Sequence, residues 1–158
     1  MQFFEGLSFI WVMGLLVIIG LFYGVQAFLG YKAVARDALS DYEYKKTEGM
    51  IDKRLSKDGY IRAYKRFNNP RRPAYIAGTI AAILLLTWPA MGLIEFALRQ
   101  MWQLSGRSRT IEPGFLVWQF FIFFALIGIW VTIAYVGARR YHRFAPVSFR
   151  DEQIREMD

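Results

Sequence analysis

The sequence contains no cysteine and a single histidine, His142. The first absence excludes disulfides, thiolate metal sites, iron–sulfur clusters and a cysteine nucleophile. The second leaves no pair of axial imidazoles for a transmembrane haem, and too few ligands for a His-rich zinc or copper site. Charge is missing from long stretches: residues 6–31, 73–94 and 113–138 contain no Asp, Glu, Lys or Arg. Also lacking are a glycine-rich phosphate loop, a GxSxG elbow, an HExxH pair and paired carboxylates, the arrangements that phosphate binding, acyl transfer and metal-assisted hydrolysis require. The expectation is therefore no enzyme, no metal site and no cofactor of its own.

What is present is apolar and clumped. Hydrophobic residues make up 55% of the chain and aromatics 18%. Each charge-free run exceeds the about 20 residues with which a helix crosses about 30 Å of hydrocarbon. The fold expected is an all-α membrane protein of one domain with three transmembrane helices, over residues 7–29, 74–98 and 115–138. No Lys or Arg precedes Lys32, and no clear small-residue cleavage site follows the first run, so that run reads as a retained helix and not a signal peptide. Pro73 suits a first helical turn, whereas Pro89 falls inside the second helix and is expected to kink it.

The cations are unevenly placed. Of 20 Lys and Arg residues, 12 lie between the first two runs, five follow the third, three lie between the second and third, and none precedes the first. Three crossings put 17 cations on one side and three on the other, which by the positive-inside rule predicts an N-out, C-in orientation. The connection over 32–72 and the tail over 139–158 are then cytoplasmic, and the 99–114 loop is outside. The predicted place is a bacterial inner membrane with the N-terminus in the periplasm. Trp11, Trp102 and Trp118 would lie near the outer boundary, and Tyr31, Tyr75, Tyr135 and Tyr141 near the inner one, as amphipathic rings prefer.

The 32–72 connection is the only sizeable polar part. Its first half reads as a continuation of the first helix, with Ala33, Val34, Ala38 and Leu39 as an apolar stripe and Asp41 and Lys45 at i, i+4. Lys57, Asp58 and Gly59 read as a turn. Tyr60, Tyr64 and Phe67 then share a helical face while Arg62, Lys65 and Arg66 fall elsewhere. That pattern predicts a helix lying in the membrane surface, rings toward lipid and cations toward anionic phosphates or a partner protein. Arg71, Arg72, Arg139 and Arg140 extend this lipid or partner contact. The net charge is +7 overall. The connection itself carries six acids against its 12 cations, so no nucleic-acid partner is expected.

Glu95 is the sole acid within a predicted span, and Arg99 four residues on suits an ion pair at the outer interface. Gly20 with Gly24, Gly78 with Ala82, and Gly128 carry small-residue spacings that favour close helix packing. These features predict a non-catalytic accessory or structural subunit of a larger integral membrane complex. An energy-transducing assembly, respiratory or photosynthetic, is the foremost host, with structural and anionic phospholipids as companions. The alternative is a component of a transporter or ion channel with Glu95 near a polar path.

Overall fold

A computed structural model describes residues 2–157, with side chains from residue 9 onward. The described residues are helical and contain no strand. The helices are α1 (Gln2–Thr47), α2 (Lys57–Phe67), α3 (Arg71–Leu104), α4 (Leu116–Arg143) and α5 (Phe149–Arg155), with a 3₁₀ turn at Arg109–Ile111 between α3 and α4. Three of them, α1, α3 and α4, are long and apolar enough to cross a membrane.

Each long helix overruns its charge-free run. At about 1.5 Å per residue, the 46 residues of α1 reach about 69 Å, more than twice the hydrocarbon thickness. The overrun begins after Tyr31 and follows the expected stripe only in part: Ala38 and Tyr42, one turn apart, are buried, whereas Leu39 is exposed. Helix α3 extends beyond the expected 74–98 at both ends, through good helix formers such as Arg99 and Met101. Helix α4 runs on to Arg143, where Arg140, His142 and Arg143 in the last turn face the partial negative charge of the helix C-terminus.

Two differences concern turns. Lys57, Asp58 and Gly59, read from sequence as a turn, form the first turn of α2. Ser56 caps it, its hydroxyl accepting from the Gly59 N–H at 3.0 Å, which satisfies a helix-end donor. The 139–158 tail, for which no element was assigned from sequence, contains α5, capped in the same way by Ser148, which accepts from the Asp151 N–H at 3.1 Å.

The chain divides into two compact units: residues 78–139 with the start of α1 through residue 20, and residues 21–77 with those from 140 on. In the first unit α3 continues as one helix through Pro89. Proline lacks the N–H that would bond the carbonyl of Leu85. Thr87, in the same stretch and the one buried polar residue of the described core, donates its hydroxyl to the Ile83 carbonyl at 2.6 Å. The same oxygen accepts from the indole N–H of Trp130 at 3.0 Å, a bond from α4 to α3. The Phe9 and Trp88 rings meet edge to face, with centroids 6.3 Å apart.

Small residues bring the helices together at two points here. A Cβ placed on Gly20 would stand 3.0 Å from Ile80 Cγ2, and one on Gly137 would collide with the Thr79 side chain. Gly78 and Gly128 face open space, as does Gly24 in the other unit, and Ala82 is half-buried. The structure thus places a close approach at one glycine of the expected set, Gly20, and adds Gly137. Spacing identifies small residues but not which side of the helix meets a neighbour.

Two outcomes follow. Thr87→Val, which keeps the volume and removes the hydroxyl, is expected to lower unfolding free energy by about 0.6–1.7 kcal/mol. Thr87→Ser should retain most of it, measured by steric trapping or denaturant titration in mild detergent. Gly137→Ala is expected to cost about 1–3 kcal/mol through overpacking, whereas Gly128→Ala is neutral or slightly stabilising.

Candidate functional site

The second unit holds most residues that the sequence singles out, and it assembles them differently from expectation. Tyr60 is fully buried. Its ring packs with Tyr42 and Leu55, against Ile51, Tyr64, Phe149 and Met157. Phe149 of α5 meets three rings of α2: Tyr60 and Tyr64 edge to face at 5.6 and 6.0 Å, and Phe67 tilted at 5.7 Å. The face read as lying on lipid is therefore covered largely by the C-terminal segment. Burying a ring of this size removes enough apolar surface from water to contribute about 1.5–3 kcal/mol. A short connection builds a core because residues distant in sequence complete it.

The ring's polar tip is also met. The Tyr60 hydroxyl donates to Asp41 Oδ2, and Lys45 Nζ donates to both the Tyr60 hydroxyl (3.1 Å) and Asp41 Oδ2 (3.0 Å). Burial works against the Asp41 carboxylate, but the bonds from Tyr60 and Lys45 outweigh it and hold its pKa below the ordinary value. Burial likewise opposes the Lys45 ammonium, and its bonds to Tyr60 and Asp41 raise it nonetheless. The Tyr60 phenol is pushed up, first by burial and then by its bond to Asp41.

Charge closes the other side of α2. Arg62 reaches Glu156 at 2.7 Å, and Arg66 reaches Glu156 at 2.8 Å and Glu152 at 3.7 Å. The hydrogen bond from Arg62 is the main reason the Glu156 pKa lies below its ordinary value. Two of the three cations expected to face phosphates are thus engaged by α5, while Lys65 is exposed and pairs with no carboxylate among the described residues. Arg71 is held by its own contacts. Its Nη2 donates to the Tyr141 carbonyl at 2.5 Å, and its guanidinium lies over the rings of Tyr141 (5.2 Å) and Tyr75 (5.9 Å). Arg72, Arg139 and Arg140 are exposed.

Pro70 comes hard against α1 at Gly30, where a Cβ would stand 2.8 Å from the proline Cβ. Sequence reasoning missed Gly30 because it belongs to no small-residue repeat. It missed Phe149 too, a ring that belongs to no aromatic repeat in a largely polar tail. The one available signal was Ser148 followed by acids at 151 and 152, a helix-start pattern.

Outside this unit, Glu95 and Arg99 stand 3.9 Å apart with both side chains about half exposed. No group of three metal-ligating side chains converges among the described residues. No family model matches the chain, and no curated protein or solved structure matches it either. What is established is an all-helical chain with three helices able to cross a membrane, consistent with an integral membrane protein.

Removing the hydroxyl in Tyr60→Phe leaves the Asp41–Lys45 pair but takes away its third member. A loss of about 1 kcal/mol is expected, read as faster amide exchange in α2. The pH response follows from Asp41 and Glu156. Both bind protons less readily folded than unfolded, so their stabilisation is complete above ordinary carboxylate values of about 4 and disappears as pH falls through the lower folded values. Amide protection of α2 and α5 is expected to hold from pH 7 to about 5 and to drop below about 4. In Glu156→Gln, protection of α5 should already be lower at pH 7 and should fall less on acidification.

Proposed function

We propose that the chain is a non-catalytic accessory subunit of a larger integral membrane complex, with an energy-transducing assembly as the host to test first. The observation that supports this most is how little the three long helices cover one another. In their most apolar stretches only 6–11% of residues are buried within the chain. Around α4, Phe115, Phe120, Phe121, Phe123 and Phe124 are all at least about half exposed. Acyl chains cover such a surface in part. A broad ring-lined face also gives a large partner helix rigid contact area at low cost in side-chain entropy.

In this reading the termini of the bundle have different roles. The side carrying 17 cations faces the cytoplasm and the side carrying three faces out. The α2–α5 unit then forms a folded platform at the cytoplasmic edge, with Lys65, Arg72, Arg139 and Arg140 exposed for anionic lipid or an acidic partner.

Orientation is testable without background because the chain has no cysteine. With Gln103→Cys and Met50→Cys, both at exposed positions, an impermeant maleimide should label position 103 on intact spheroplasts and position 50 only after permeabilisation. The reverse pattern overturns the orientation. Gentle extraction followed by mass spectrometry should recover the chain in fixed ratio with a larger membrane complex; recovery as a homogeneous homo-oligomer overturns the accessory-subunit reading.

A further inference from the structure

The second unit contains a cavity of about 520 Å³ whose lining joins α1, α2, α3 and the α4–α5 segment. Tyr31 and Tyr75 place it where the charge-free runs 6–31 and 73–94 end and begin. Its wall carries three guanidiniums, Arg66, Arg71 and Arg155, and two carboxylates, Asp151 and Glu152. Arg66 and Glu152 answer one another at 3.7 Å. Arg71 is fixed through the Tyr141 carbonyl, and Arg155 is exposed and pairs with no carboxylate among the described residues. With the Arg66–Glu152 pair set aside, the lining keeps Arg71, Arg155 and Asp151, a net charge of one positive unit.

Phe144 and Val147 of the same lining are exposed apolar side chains, Val147 at 91%. A site lined by both guanidiniums and uncovered apolar side chains suits an amphipath. Its volume lies in the range of about 300–1,000 Å³ typical of small-molecule sites. That is far more than a bare phosphate fills. The wall also contains a buried acceptor, Asn69 Oδ1, that receives no hydrogen bond from the described residues.

From these features we infer that the cavity binds the headgroup of a phospholipid carrying a single negative charge and free hydroxyls. Its phosphate diester lies between Arg71 and Arg155. Its hydroxyls donate to Asp151 and Asn69, and the start of its acyl chains rests on Phe144 and Val147. A doubly charged lipid exceeds the lining charge, and a zwitterion leaves it uncompensated. The inference deepens the accessory-subunit reading and rests on it for the bilayer setting, but it concerns one lipid at one place.

The test uses the full chain in mild detergent and native mass spectrometry with phosphatidylglycerol, phosphatidylethanolamine and phosphatidylcholine at equal concentration. One retained phosphatidylglycerol per chain is expected, in preference to the other two. Arg155→Gln should weaken its binding about five-fold, the effect of removing one interfacial cation. Arg150→Gln, on the same helix but outside the lining, should leave binding unchanged. Equal loss in both variants, or equal retention of phosphatidylethanolamine, overturns the inference. Displacement of the bound lipid by millimolar inorganic phosphate also overturns it and reassigns the cavity to a free anion. Each outcome is independent of the maleimide and co-purification results, so a failed lipid site and a failed accessory-subunit reading are told apart.

Discussion

A tyrosine buried to its tip imposes two demands at once, and the second unit is built around meeting both for Tyr60. The ring needs apolar cover, and the hydroxyl needs a partner because an unpaired buried hydroxyl costs about 1–3 kcal/mol. The partner is Asp41 with Lys45 beside it. Those residues share a face with Tyr42 and Ala38 only because α1 remains helical well past its apolar run. The cover comes from Tyr42 and Leu55 on one side and Phe149 on the other. The extension of α1, the position of α2 and the docking of α5 are therefore one linked arrangement.

The ion pairs of α2 with α5 depend on this contact more than they create it. Arg62 and Arg66 are about half exposed, and exposed pairs contribute little individually. Their value is in register: with the rings in place, Glu156 lies between two guanidiniums, which fixes how α5 lies along α2. Arg155 pairs with no carboxylate among the described residues and lines the neighbouring cavity together with Asp151, so the charge of that cavity goes with the docking of α5.

The long helices follow a different logic. Their backbone groups are satisfied internally, as an apolar solvent requires, and their side chains have few partners within the chain. Where they meet, contact is local: Thr87 with Trp130, Gly20 with Ile80, Gly137 with Thr79. With hydrocarbon as solvent there is no hydrophobic gain from bringing such helices together, so close packing and hydrogen bonds carry the association. Around α4, several phenylalanine rings are about half or more uncovered by the described residues.

The three apolar helices, their number and their approximate positions were legible in the sequence, because hydrocarbon tolerates no charge and run length alone sets what can cross. The extension of α1 and the ring face of Tyr60, Tyr64 and Phe67 were legible too, through helical periodicity. What covers that face was not. Periodicity reports that rings share a side of a helix, and lipid or protein satisfies them equally. Only the tertiary structure brings Phe149 and Glu156 back from the far end of the chain, turns two expected lipid-facing arginines into partners of the C-terminal segment, and forms the open cavity beside Arg71. These depend on contacts between residues separated by most of the sequence, and no local pattern encodes such contacts.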